Sequence, residues 1–325
     1  KNTLDKNYLY LAQKLGAEIL AEHEVYDVRP INEEDGANGY EVAIKTSTKF
    51  VTKRRKIKSQ GVIFSGGVLG TIKLLLKLKT SSLPKLSNRL GHDIRTNNET
   101  LVSISSLDKD KNYSKGVAIG SILDTDENSH LEVVRYSEGS NAWKFLHLPY
   151  VTGSTFFSRL AMVLVSFIKS PRNYFKIYLV NSWAKKTVTL LFMQTLDSTL
   201  SFKRTIFGLM GSRISTGKKP TPFIKESVQL IKEYAKAVNG VSTSFALETI
   251  AGIPSTAHIL GGAVMGKNPS EGVIDKNNNV FGYKNLYIID GAMISSNPGV
   301  NPSLSITAIA ERAMDQIPAK VNQDR

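Results

Sequence analysis

The sequence contains no cysteine, and this absence removes several kinds of chemistry at once. A chain without cysteine forms no disulfide, offers no thiolate to a metal ion and has no thiol nucleophile. Histidine, the other common ligand of transition metals, occurs only five times. The histidines are scattered and show no metal-ligand spacing. We therefore predict no metal site.

The features that mark nucleic-acid-binding proteins are also missing, although the chain is basic. Lys and Arg total 42 against 28 Asp and Glu, which gives a net charge of +14. Such a charge suits nucleic acid, an anionic membrane surface or an acidic partner, and equally an ordinary solvated surface. No zinc-finger spacing, RNP-like strand or long arginine tract is present. The sequence therefore predicts no binding to nucleic acid, whereas a membrane surface, an acidic partner and a plain solvated surface all stay possible.

Segments for targeting to or across a membrane are lacking as well. No basic stretch followed by an apolar core stands near Lys1, so we predict no signal peptide in this chain. The most apolar run, residues 155–168, is shorter than the ~20 residues that span a bilayer. It is either a buried helix or an apolar lid or membrane-touching helix, flanked by Lys169, Arg172 and Lys176. A soluble or peripheral protein is expected.

The hydrophobic pattern predicts a mixed α/β and α+β fold. At 325 residues and 41% hydrophobic, two domains are expected. Alternating runs at 22–31 and 39–46 predict strands, and short strand-like runs recur between 95 and 255. Besides an amphipathic helix at residues 3–20, two further helices are predicted by apolar spacing. Their inward residues are predicted to be Leu69, Ile72, Leu75 and Leu76 in the first, and Leu304, Ile306, Ile309, Ala310 and Met314 in the second.

Closely spaced glycines lie between a short apolar strand and the first of these helices, in the segment Ser65–Gly70. Glycines such as Gly66 and Gly67 let the backbone approach a phosphate or a ring, and the helix that follows offers free N–H groups. The segment is not GxGxxG, and the chain contains no intact dinucleotide fingerprint. A tight strand-to-helix turn explains the same glycines.

Two further segments carry residues suited to chemistry. His258 lies in a Gly-rich stretch, where an imidazole that titrates near neutrality can take a proton from an alcohol; a hydrogen-bonded core histidine is the alternative. Asp290 and Gly291 end an apolar strand, and Asn301 stands just before a helix that begins with Pro302 and Ser303. A helix amino terminus stabilises developing negative charge, although Asn is also a common helix cap.

Taken together, the segments SGGVLGTIKLLL, STAHILGG and VFGYKNLYIIDGAMISSNPGVNPSLSITAIAERAM resemble the glucose-methanol-choline (GMC) oxidoreductases, in their cholesterol oxidase-like branch. The resemblance extends over nearly the whole chain. It implies a partial, Rossmann-like FAD-binding domain of residues 1–92 and 274–325. It also implies a substrate-binding domain of residues 93–273, built on an antiparallel sheet with helices.

The resemblance also implies roles for individual residues. His258 would accept or orient the hydroxyl proton while hydride leaves for the flavin, and Asn301 would hold the substrate oxygen or the flavin edge. Glu248 is a carboxylate that could assist. The residues matched to FAD contacts are Val25, Gly66, Gly67, Asp290, Gly291, Asn301, Pro302 and Ser303.

The expected function is therefore FAD-dependent oxidation of a hydrophobic alcohol such as a sterol. Because the family's GxGxxG unit is absent, an additional amino-terminal segment or chain is expected to complete the FAD site. The alternative from another class is a non-catalytic lipid- or membrane-binding remnant. A nicotinamide dehydrogenase is disfavoured by the missing fingerprint.

Overall fold

The computed structural model of the protein describes residues 3–196, 198–205 and 208–318. The outermost parts of the predicted FAD-binding domain, residues 1–2 and 319–325, lie outside these ranges. Within them the α-helices are α1 (Tyr8–Lys14), α2 (Gly67–Lys79), α3 (Phe156–Lys169), α4 (Pro171–Leu179), α5 (Trp183–Lys186), α6 (Lys225–Ala237) and α7 (Ser303–Asp315). The strands are β1 (His23–Pro30), β2 (Tyr40–Thr46), β3 (Arg54–Ser59), β4 (Val62–Phe64), β5 (Thr100–Ser106), β6 (Ile119–Asp126), β7 (Ser129–Arg135), β8 (His147–Pro149), β9 (Thr187–Gln194), β10 (Thr199–Arg204), β11 (Met210–Thr216), β12 (Gly240–Phe245) and β13 (Leu286–Ile288).

The first ninety residues form a three-stranded antiparallel sheet and a strand–helix unit. The predicted strands β1 and β2 pair with each other, and β2 pairs with β3. The basic stretch that becomes β3 carried no strand prediction, because Ile57 is the one apolar residue among its six and no period of two is visible. β4 leads directly into α2 and pairs in parallel with β13, which lies more than 200 residues later.

The largest core surrounds α2. Val68, Ile72, Leu75 and Leu78 are buried there, together with residues of β4, β13 and the loops around 83–94 and 260–294. The prediction that Leu69 faces inward is wrong, since its side chain is 49% exposed. One residue along a helix turns the side chain by ~100°, so Val68 occupies the buried face that the pattern assigned to its neighbour.

A six-stranded antiparallel sheet in the order β6-β7-β9-β5-β12-β8 forms the second layer. Its core includes Val102, Ile104 and Leu190, and α6 covers it through Ile231. The mixed α/β fold with an antiparallel sheet is thus confirmed. The domain limits stay a prediction, and Ile94 and Leu260, which fall inside the range 93–273, pack in the core around α2.

Two helices differ from their predicted packing. In α7, Ile306 and Ile309 pack against the core, whereas Leu304 is 80% exposed and Met314 is also exposed, so their inward prediction is wrong. Ala313 takes the buried position at that end of the helix.

The interpretation of residues 155–168 as a buried helix is also wrong. These residues form α3 on the surface, where Arg159 and Val163 are buried. Among the described residues, no helix has the length and apolar character needed to cross a membrane.

Candidate active site

His258 is brought beside a buried carboxylate by a backbone bridge between distant segments. Arg95 and Leu260 exchange two N–H···O bonds of 2.8 and 2.9 Å. This bridge aligns the segment that leads to Glu99, at the start of β5, with the segment that contains His258. His258 Nδ1 lies 2.7 Å from Glu99 Oε1.

The side chain of Glu99 is fully buried, and both of its carboxylate oxygens are hydrogen-bonded. Its Oε1 accepts from Thr256 Oγ1 at 2.9 Å, and its Oε2 accepts from the backbone N–H of Ala257 at 2.9 Å. Thr256 Oγ1 also accepts from the backbone N–H of His258 at 3.1 Å. The carboxylate therefore fixes both the loop and the imidazole ring.

This contact determines which ring nitrogen of His258 carries the hydrogen. A carboxylate accepts, so Nδ1 carries the hydrogen and Nε2 of the neutral ring is left as the acceptor. Burial alone would lower the pKa of His258, but the hydrogen bond to Glu99 and the negative charges of Glu99 and Glu132 outweigh it and raise the pKa above its usual value. Such a ring is a stronger base than a free histidine.

Asn301 lies next to His258 and contributes to its raised pKa. Its Nδ2 donates to both carboxylate oxygens of Glu132 in β7, at 2.8 and 2.9 Å. Its Oδ1 is buried and has no hydrogen-bond partner among the described residues. Because Glu132 fixes the amide orientation, Oδ1 remains an acceptor for a hydroxyl or for a protonated His258.

The loop before Asn301 is anchored by another buried amide. Asn97 Nδ2 donates to the carbonyl of Val300 at 3.0 Å. Gly299 has a φ of +67°, a conformation that favours glycine. These features hold Asn301 at the start of α7 on the same side as Glu99 and His258.

Glu248 is a third buried carboxyl in this region. Its Oε1 accepts from the backbone N–H of Ser255 at 3.1 Å, in the loop that leads to His258, while Oε2 has no partner among the described residues. Burial, with a smaller effect of the nearby Glu99 charge, raises the pKa of Glu248 to about 7. The carboxyl can thus exchange a proton near neutral pH.

A separate open groove of about 800 Å³ runs along β1 and β4 to the start of α2. That volume falls within the range of small-molecule and cofactor sites. Of the residues predicted to contact FAD, Val25 and Gly66 line this groove. Gly70 and the basic residues Lys45, Lys73 and Lys77 also line it.

The glycines at the start of α2 leave open space beside this groove. Gly67 has a φ of +72°, and a side chain added at Gly67 or Gly70 would meet open space within 4 Å. Gly70 has no positive φ and no close neighbour, yet it costs the helix ~1 kcal/mol relative to Ala. Packing within the described residues therefore does not explain the glycine at position 70, and a ligand that occupies this space would.

Asp290 and Gly291 contact α2 next to this groove. Asp290 accepts from Thr71 Oγ1 at 2.5 Å and from the backbone N–H of Ala292 at 2.8 Å. Burial raises its pKa in spite of these bonds. A Cβ at Gly291 would lie 3.0 Å from Val68 Cγ2, so close packing against α2 accounts for that glycine.

The start of α7 offers free backbone donors. Pro302 is buried and Ser303, the first helical residue, is exposed. No side chain caps this terminus. The first N–H groups of a 13-residue helix therefore point away from its body and favour a ligand atom with negative charge.

The structure thus places the predicted residues in two groups. His258 and Asn301 come together in the polar site, whereas Val25 and Gly66 line the groove and Gly67 follows Gly66 at the start of α2. Sequence reasoning missed the carboxylates Glu99 and Glu132. A usable signal existed for Glu132, since a carboxylate between Leu131 and Val133 in a predicted strand indicates a buried partner.

Comparison with known proteins points in the same direction. Residues 216–310, which include His258 and Asn301, match the family model described as GMC oxidoreductase. The chain is 41% identical over 326 residues to a cholesterol oxidase of Acinetobacter baumannii, covering 98% of this chain and 59% of that protein. It is 38% identical over 338 residues to a cholesterol oxidase of Mycobacterium tuberculosis, covering 100% of this chain and 57% of that protein. The chain therefore spans less than two thirds of the length of these relatives.

A solved structure shows the same fold at low sequence identity. An FAD-dependent oxidoreductase from Chaetomium thermophilum aligns with a TM-score of 0.55 at 14% identity, covering 96% of this chain and 63% of that one. The order of the motifs around Gly66, His258 and Asn301, the matched family segment and the similarity to cholesterol oxidases along the whole chain agree. The carboxyl-terminal part of the chain therefore matches the GMC oxidoreductase family, and the chain as a whole is similar to cholesterol oxidases.

Proposed function

We propose that the protein takes part in FAD-dependent oxidation of a CH–OH group in a hydrophobic alcohol, with His258 as the proton acceptor. The observation that carries the proposal is the Glu99–His258 pair. A fully buried carboxylate at 2.7 Å fixes the ring tautomer and raises the pKa of the imidazole beside Asn301.

The proton chemistry follows from these contacts. The substrate hydroxyl binds with its oxygen near His258 Nε2 and donates its proton to that nitrogen. The Glu99 carboxylate stabilises the resulting imidazolium by its charge. Asn301 Oδ1, held in place through Glu132, accepts a hydrogen bond from the hydroxyl before transfer or from His258 after it.

The groove and the start of α7 contain the residues that would hold FAD. When bound, FAD supplies the acceptor for the two electrons that leave the carbinol carbon as hydride. Val25, Gly66 and Gly67 would contact it along the groove, and the free N–H groups after Pro302 would favour its negative charge. Asp290 would act indirectly, by fixing Thr71 and the turn at Gly66. A further segment or chain with the dinucleotide fingerprint completes this site.

The proposed substrate is a sterol. Support comes from the relatives, which are called cholesterol oxidases and match almost all of this chain. The similarity includes the residues that surround His258 and those of the six-stranded sheet that carries Glu99 and Glu132.

A flavin spectrum tests this function. The purified protein, combined with the segment that carries the fingerprint, is expected to show a flavin absorbance band. That band should bleach without oxygen when cholesterol is added. The matched control is the corresponding 3-keto steroid, which has no hydroxyl to oxidise and should leave the band unchanged. A protein that binds no flavin in this combination, yet binds sterol, would be a lipid-binding remnant and would contradict the proposal.

A further inference from the structure

The exposed side of α3 carries an apolar stripe. Phe157, Leu164 and Ile168 follow one another at spacings of seven and four residues, which places them on one face of the helix. All three are exposed, Phe157 to 77% and Ile168 to 78%. Exposed large apolar residues are unremarkable singly, but an aligned set on one helix marks an interaction surface.

The following helix continues this apolar surface. Phe175 and Leu179, one turn apart on α4, are also exposed. Phe167 joins the helices by packing its ring against Tyr174 at a centroid distance of 4.9 Å. We call the exposed apolar set Phe157, Leu164, Ile168, Phe175 and Leu179 the α3–α4 face.

The helix that bears this face is firmly attached to the protein. Thr155 and Ser158 cap its amino terminus reciprocally. The buried Arg159 guanidinium donates to the carbonyls of Ile250, at 2.9 and 3.0 Å, and Gly153, at 3.0 Å. The stripe is therefore presented by an ordered helix, and its exposure does not result from a frayed end.

The stretch of chain that carries the face has charges of one sign. Residues 139–196 contain no Asp or Glu and seven Lys or Arg. Lys169, the last residue of α3, and Arg172 and Lys176 in α4 are exposed and form no ion pair within the described part of the chain. An apolar helix face bordered by cations is the arrangement that binds an anionic lipid interface.

We propose that the α3–α4 face docks on the surface of a bilayer that contains anionic lipid. The apolar stripe enters the acyl–headgroup boundary, and Lys169, Arg172 and Lys176 contact the lipid phosphates and carboxylates. Through Arg159, α3 is bonded to the turn 247–251 that contains Glu248. Docking therefore fixes the region next to the candidate active site against the membrane. The proposal goes beyond the redox function and does not depend on it.

Vesicle binding of the protein without added FAD or substrate tests the proposal. Sedimentation with vesicles of phosphatidylcholine plus phosphatidylserine is expected to bring down the wild-type protein. The variant Phe157→Asp/Ile168→Asp should lose at least about tenfold in partition coefficient, because two inserted side chains become charged. The control Leu15→Asp changes a residue that is 90% exposed outside α3 and α4 and should bind like wild type.

The role of the three cations Lys169, Arg172 and Lys176 is tested separately. Each of Lys169→Glu, Arg172→Glu and Lys176→Glu should weaken binding to the mixed vesicles by about fivefold or more, since one cation near an anionic surface contributes ~1 kcal/mol. The loss should shrink at high salt. On phosphatidylcholine alone the three variants should match wild type.

Three results would overturn the proposal. The first is unchanged vesicle binding of Phe157→Asp/Ile168→Asp, and the second is an equal loss in Leu15→Asp. The third is a wild-type dimer in analytical ultracentrifugation that Phe157→Asp/Ile168→Asp dissociates, while neither protein sediments with vesicles. That last outcome would make a second copy of the chain the occupant of the face. Unchanged circular dichroism of both aspartate variants excludes unfolding as the cause.

Discussion

At the scale of single residues, Glu99 sets both the charge and the orientation of His258. The contact spans 159 positions of the sequence. The free energy contributed by the charged pair is present below the ordinary histidine pKa of ~6.5 and declines as the pH rises through the raised pKa. For catalysis the neutral ring is needed, so flavin reduction should increase with pH through that same pKa.

Glu99→Gln is expected to move this acidic limb to lower pH. The glutamine oxygen can still accept from His258 Nδ1, but the negative charge that raises the pKa of His258 is gone. The rate of anaerobic flavin reduction, measured across pH, checks the shift. If the limb stays in place, Glu99 does not set the protonation of the group that limits the rate.

Asn301→Ala should slow flavin reduction by about a hundredfold, the loss typical of one oriented hydrogen-bonding group in an active site. It should also destabilise the fold by ~1–3 kcal/mol, because Glu132 loses both of its amide hydrogen bonds. The double variant Asn301→Ala/Glu132→Gln should regain stability in urea but not the rate. Recovery of both would assign Asn301 a structural role alone.

Sequence reasoning singled out two of the four side chains that meet here, His258 and Asn301, and their roles stay predictions. His258 and Asn301 stand in Gly- and Pro-rich segments whose order is distinctive, so they were identifiable. Their carboxylate partner Glu99 immediately precedes β5 and Glu132 lies in β7. Only the tertiary bridge of Arg95 with Leu260 shows which strand meets His258. A carboxylate in or beside a strand gives no indication of its partner more than 150 residues away.

At the scale of elements, α2 packs against the core on one side and borders the open groove on the other. The sequence pattern predicted this helix and the glycine turn that precedes it. It misassigned Leu69, whose apolar side chain fits the helical spacing although it is exposed. The exposure of Leu304 in α7 shows the same limit, since apolar spacing alone does not tell which side of a helix meets the core.

Gly70→Ala is expected to stabilise the protein without cofactor by up to about 1 kcal/mol, since the added methyl meets open space and alanine favours the helix. It should at the same time weaken FAD binding, measured by flavin fluorescence titration. Gly291→Ala is the matched control and should reduce stability, because its Cβ would crowd Val68. Unchanged FAD affinity in Gly70→Ala would remove α2 from the cofactor site.

At the scale of the whole molecule, the groove and the polar site rest on two different hydrophobic cores. The core around α2, β4 and β13 supports the groove, and the six-stranded sheet supports Glu99 and Glu132. The mixed fold was predictable because each segment has a clear local period. The parallel pairing of β4 with β13 was not, since it joins strands of three residues that lie more than 200 positions apart.

The central claim is that His258, activated by Glu99, accepts the proton of the substrate alcohol. The most direct test is anaerobic flavin reduction by cholesterol in the FAD-loaded protein, compared between wild type and His258→Gln. Glutamine retains a polar side chain but is no base, so we expect the reduction rate to fall by about 10²–10⁴-fold with the bound flavin content unchanged. A rate equal to wild type, or a loss of flavin that accounts for the whole decrease, would contradict the claim.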